Sequence, residues 1–78
     1  MDRKRELSQV KRLIKQYYDA GCHGLYDCRN LVGDVMESLF MGEYFRLDIC
    51  YQYCYFEVFG ATAQEFEELE KFYNGLGE

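Results

Sequence analysis

The chain has 78 residues, of which 49% are hydrophobic and 18% aromatic, and its formal net charge is −5. That apolar content is enough to offset the entropy of ordering and excludes disorder, while the length predicts one small domain, residues 1–78, with a thin stability margin. No stretch approaches the ~20 apolar residues of a membrane span, and the charged start MDRKRELSQVKRLIK lacks the apolar run of a secretory signal.

A cytoplasmic chain follows as the expectation, with its four cysteines as free thiols. Charge is unevenly spread. Residues 1–15 hold six cations against Asp2 and Glu6, whereas residues 16–78 hold three cations against twelve acids. The body should repel nucleic acid and the first segment attract it.

Residues 3–18 predict a helix. Leu7, Val10, Leu13, Ile14, Tyr17 and Tyr18 fill one arc, and Lys4, Arg5, Lys11, Arg12 and Lys15 fill the opposite arc. Gly21 marks the stop, and residues 20–28 read as a loop. A second helix is expected from about Asp27 to Met41, on the stripe Leu31, Val32, Val35, Met36, Leu39 and Phe40, with Gly42 in the left-handed position beyond its end.

Residues 43–59 are rich in Tyr, Phe, Ile, Val and Cys and predict a hairpin of strands 44–50 and 54–59. The rival is a mostly α-helical chain with 44–54 helical, because Leu47, Cys50, Tyr51 and Cys54 would share a helix face. Thr62-Ala63-Gln64-Glu65 is a capping box for a last helix, with Phe66, Leu69, Phe72, Tyr73 and Leu76 as its buried face. The expected class is α+β, in the order α-α-β-β-α.

The hairpin segment ICYQYCYFEVFG concentrates three tyrosines, two phenylalanines and two cysteines around one charge, Glu57. Strand alternation puts Phe45, Leu47, Ile49, Phe56 and Val58 on a core face. Tyr44, Asp48, Tyr53, Tyr55, Glu57 and Phe59 fall on the other face. Tyrosine gives a large contact area with few torsions to freeze, which suits binding; rings buried under helices on both sheet faces are the competing reading. Glu67, Glu68 and Glu70 add acid that would complement a basic groove.

No phosphate loop, Ser-His-Asp set or cofactor fingerprint is present, so neither enzyme nor cofactor is expected. Cys22, His23, Cys28, Cys50 and Cys54 are the right atoms for zinc at spacings unlike those of familiar structural sites. Nucleic-acid binding through Lys4, Arg5, Lys11, Arg12 and Lys15 is the second functional reading, and a small zinc or thiol protein the third. In size, acidity and lack of a catalytic set, the chain resembles small phage or mobile-element proteins that inhibit bacterial defence enzymes, anti-CRISPR proteins among them. The resemblance is one of profile and not of motif. It implies a larger protein partner, such as a nucleic-acid-handling enzyme; a homodimer is the other arrangement considered.

Overall fold

Asp2 starts the first helix by accepting the Arg5 N–H at 2.8 Å, and α1 then runs Arg3–Asp19. It ends where Gly21 turns to φ +106° and the Cys22 N–H bonds back to the Tyr17 carbonyl. The computed structural model describes residues 2–28 and 36–78. Four strands follow: β1 (Leu25–Asp27), β2 (Glu37–Met41), β3 (Arg46–Cys50) and β4 (Tyr55–Phe59). They form one mixed sheet in the order β1-β4-β3-β2. β3 pairs antiparallel with both β2 and β4, and β1 lies parallel to β4. A last helix, α2 (Ala63–Leu76), completes the chain.

Both helices cover one sheet face. Leu7, Val10 and Ile14 of α1 and Leu69 of α2 meet Leu47, Ile49, Phe56 and Val58 in one buried cluster with Phe45 and Cys22. The class is therefore α+β, as expected, and the hairpin is real: Leu47 faces Val58 and Ile49 faces Phe56 across the antiparallel pair. The helical alternative for 44–54 gives way to strand from Arg46 to Cys50, because alternation buries Leu47 and Ile49 on the helix side. No helix among the described residues is long and apolar enough to cross a membrane.

The expected helix 27–41 is not what its described ends form. Asp27 closes β1, and Glu37–Met41 is β2; residues 29–35 of that expectation lie outside the described residues. The physical reason lies in β2. Its register slips between Ser38 and Phe40, and consecutive Leu39 and Phe40 both pack on the core. A bulge thus imitates the adjacent apolar pair of a helical stripe.

Gly42 has a different task from the left-handed cap expected of it. A Cβ there would collide with the carboxyl of Glu6. That carboxyl, fully buried, accepts the N–H groups of Glu43 (3.0 Å), Tyr44 (2.9 Å) and Phe45 (3.2 Å). One acid of α1 thereby organises the β2–β3 turn.

The capping box is present as read: Thr62 Oγ1 accepts the Glu65 N–H, and Glu65 Oε1 accepts the Thr62 N–H. α2 passes through Gly75 and stops at Leu76, with Gly77 as its C-cap. Arg3 grips the same Glu65, with Nε to Oε2 at 2.6 Å and Nη2 to Oε1 at 2.7 Å. Thr62→Ala should lower stability by about 1 kcal/mol, read as a lower urea midpoint at constant slope. An unchanged midpoint would mean that Arg3 alone fixes the start of α2.

Candidate functional site

The tyrosine-bearing set divides into three places. Tyr53 stands in the 51–54 turn, 62% exposed, and Tyr55 is half-buried at the start of β4. Tyr44 and Phe59 lie at the far end of the hairpin, a strand length of roughly 17 Å away. There the Arg46 guanidinium sits 5.2 Å over the Phe59 ring. Asp48 and Glu57 occupy the middle, on the face turned from the helices, and both are buried. The expected open face is therefore open only at its ends. Glu67, Glu68 and Glu70 are exposed on α2; Lys71 pairs with Glu67 and Lys11 with Glu68.

Asp48 and Glu57 face each other directly across β3 and β4. Arg46 answers Asp48: its Nε donates to Oδ1 at 2.9 Å, and Nη2 lies 2.8 Å from Oδ2 as an ion-pair contact without hydrogen-bond alignment. Glu57 is treated differently. Its Oε2 is buried and has no hydrogen-bond partner. The residue lines an open pocket of about 340 Å3 with Tyr26, Asp27, Cys28 and Tyr55. Tyr26 projects from β1 beside Glu57, and its ring meets that of Tyr55 edge to face, 5.2 Å between centroids.

Two backbone bonds hold this corner together. The Phe56 N–H donates to the Gly24 carbonyl at 2.7 Å, and the His23 N–H donates to the Cys54 carbonyl at 3.0 Å. Cys54 reaches that position with φ +56°, a left-handed conformation uncommon for a residue with a Cβ. The four-residue turn therefore packs against the entry to β1, while the Tyr51 hydroxyl lies by Glu37 of β2 and Tyr17 of α1.

The basic face of α1 is partly spent inside the fold. Lys11 reaches Glu68 at 3.2 Å, Lys15 reaches Asp19 at 3.0 Å, and Arg3 holds Glu65. Lys4, Arg5 and Arg12 remain exposed. A hollow of about 360 Å3 between the helices is lined by Lys4, Lys11, Glu65 and Glu68 among others, and three of these four already carry an ion-pair partner.

The thiols and His23 do not assemble. Cys22 belongs to the core under the helices, Cys50 is buried on the opposite sheet face, Cys54 is exposed in the turn and Cys28 is half-buried beyond β1. The His23 ring lies 4.3 Å from that of Tyr18. Among the described residues no three His, Cys, Asp or Glu side chains gather as a metal-holding group, which removes the geometric basis of the zinc alternative. Burial pushes the Cys22 thiol up to about 11, helped by the neighbouring Cys54 and Cys50. Cys28 also rises to about 11, through burial first and then the adjacent Glu57 carboxyl. A thiol held that high is a weak nucleophile at neutral pH.

Sequence reasoning missed Tyr26, Tyr51 and Glu6. Tyr26 sits in a three-residue strand too short for alternation to register, and Tyr51 was assigned to neither strand. Glu6 looked like one more charge on a solvated helix; only its position four residues before Val10, on the buried arc, set it apart. No family model, curated protein or solved structure matches the chain.

Proposed function

We propose that the chain is a non-enzymatic protein-binding module that docks a larger, basic-surfaced protein at the corner formed by β1, β4 and the 51–54 turn. The observation that carries this reading is the exposure of Tyr26 (56%) on β1, beside the pocket it lines with Tyr55 and Glu57, and of Tyr53 (62%) in the turn that packs against the entry to β1. Clustered tyrosines in solvent supply the rigid, amphipathic contact area that protein interfaces favour. The acidic body selects a basic partner and speeds encounter with it.

The finer reading is an inhibitor of a nucleic-acid-handling complex, carried by a phage or mobile element and acting in the cytoplasm. It rests on the acidity of residues 16–78 and on the profile resemblance.

Tyr53→Ala tests the surface. Its ring is mostly solvated, so the variant should keep its circular dichroism and melting behaviour. It should lose, by at least about tenfold, the salt-sensitive binding of a partner captured by the parent, because central interface tyrosines often carry about 2 kcal/mol. Capture unaffected by Tyr53→Ala, or self-association of the parent that the substitution abolishes, counts against a separate basic partner at this corner.

A further inference from the structure

We propose that the solvent face of α1 is a docking surface for the phosphate backbone of a nucleic-acid duplex. The side chains exposed there from Lys4 to Gln16 are Lys4, Arg5, Ser8, Arg12, Lys15 and Gln16. Every one of them can donate a hydrogen bond, whereas a phosphodiester oxygen only accepts. The fold has already sorted the cations of this helix. Arg3 and Lys11 turn inward onto Glu65 and Glu68, and Lys15 is held by Asp19. Among the described residues, the side chains of Lys4, Arg5 and Arg12 have no ion-pair or hydrogen-bond partner. The three cations left over are those that face water.

The chemistry of this face selects its occupant. No aliphatic or aromatic side chain of α1 is exposed; its apolar residues are buried or half-buried. A protein partner calls for an apolar centre, and a bilayer surface for an apolar helix face to immerse. A single strand calls for rings on which its bases stack. The face supplies none of these. A duplex backbone needs only cations and donors, and each strand presents one phosphate for every ~3.4 Å of duplex axis. Lys4 to Arg12 covers about 12 Å of helix, enough for three phosphates.

The rest of the chain confines the contact to this helix. Residues 16–78 hold twelve acids against three cations, and Glu67, Glu68 and Glu70 stand exposed on α2. That field repels a duplex from every other side, so binding is edge-on, weak and strongly dependent on salt. The surface is separate from the tyrosine corner and does not rest on it. At the start of α1, Arg3 donates to the Gly60 carbonyl and lies 4.9 Å over the Phe45 ring. At its end, the Tyr18 ring lies against His23, beside the 51–54 turn. Lys4, Arg5 and Arg12 belong to about the first three turns, on the half of the helix away from that corner.

The test is fluorescence anisotropy of a labelled DNA duplex of about 16 base pairs, titrated with the intact chain from about 20 mM salt upward. Binding should saturate at the lowest salt, and the logarithm of the binding constant should fall against the logarithm of salt with a slope of roughly −3, about one for each free cation. The paired substitution Arg5→Gln with Arg12→Gln should bring the slope to roughly −1 and weaken binding at least about tenfold at the lowest salt. Its circular dichroism and melting should match the parent, because both side chains are exposed. Arg12→Gln alone should cost more than Lys71→Gln, which removes one cation from α2. Equal losses would mean that net charge and not the α1 face governs binding, and an absence of saturable binding at the lowest salt would overturn the surface outright. Tighter binding of the matching single strand, of polyglutamate or of anionic lipid vesicles would overturn the choice of a duplex. Tyr53→Ala should leave duplex binding unchanged, so failure of the docking corner and failure of this face are read in separate measurements.

Discussion

Phe56→Ala should be the most damaging single truncation in the chain, lowering stability by about 3–5 kcal/mol. The ring is completely buried at the centre of the sheet, paired with Ile49 on one side and Leu25 on the other, and it packs in the cluster that joins both helices to β3 and β4. Truncating a buried phenylalanine costs about 3–5 kcal/mol through lost transfer energy and the cavity left behind. A domain of this length has a total stability of only about 4–12 kcal/mol. The loss therefore ranges from about a quarter of the margin to all of it. Urea denaturation followed by circular dichroism reads the effect; a variant that keeps the parent midpoint would mean the core is not organised around this ring. Phe66 and Phe72 of α2 are half-buried against the same cluster, so their truncation should cost less than that of Phe56.

The second large effect is expected at Glu6. Its carboxyl is enclosed beneath the β2–β3 turn and accepts three successive backbone N–H groups. Glu6→Ala leaves those donors without an acceptor. Glu43 and Tyr44 are exposed and recover water, whereas Phe45 is buried and does not. An orphaned buried N–H costs about 1–3 kcal/mol, and the collapse of the turn adds to it. Glu6→Gln keeps an acceptor oxygen and should fall between parent and alanine variant. The order parent, Gln, Ala in thermal melts is the expected result; an alanine variant as stable as the parent would remove the clamp.

The same residue makes acid a destabilising agent. Burial alone would raise the Glu6 carboxyl, but the hydrogen bonds from Tyr44, Phe45 and Glu43 outweigh it and hold the group below its ordinary value. The Arg3 guanidinium holds Glu65 down to about 2 against an ordinary 4.5, with burial opposing and Thr62 assisting. A carboxyl depressed in the folded state contributes stability that is complete above its unfolded value and disappears as pH falls through the folded one. Melting temperature should therefore fall from about pH 4.5 toward pH 2, and Glu65→Gln should flatten that decline.

The parts of the fold legible in the sequence were those governed by local periodicity. α1 and α2 announce themselves by apolar stripes and capping residues, and the Leu47, Ile49, Phe56 and Val58 alternation places the hairpin core. β1 was hidden because its three residues pair in parallel with a strand some thirty positions away, and nothing local encodes such a partner. β2 was hidden because its bulge places Leu39 and Phe40 together on the core. The site was half legible. Tyr53, Tyr55 and Glu57 were singled out on strand alternation, but the burial of Asp48 and Glu57 was not foreseeable from a face that mixes rings with charge. Neither was the separation of Tyr44 from Tyr53, since grouping them treated the hairpin face as one patch regardless of strand length.

The strand order has a consequence for how the chain is made. The edge strand β1 can pair only with β4, and the bond between Arg3 and Glu65 spans 62 positions. The first helix likewise has no apolar bed until β3 and β4 exist, and Leu69 must arrive to close it. During synthesis the early segments therefore wait unpaired until the last third of the sequence has left the ribosome, because loop closure precedes the contacts that reward it. Folding waits on α2, and for that interval the aromatic strands are the segment most in need of protection from other nascent chains.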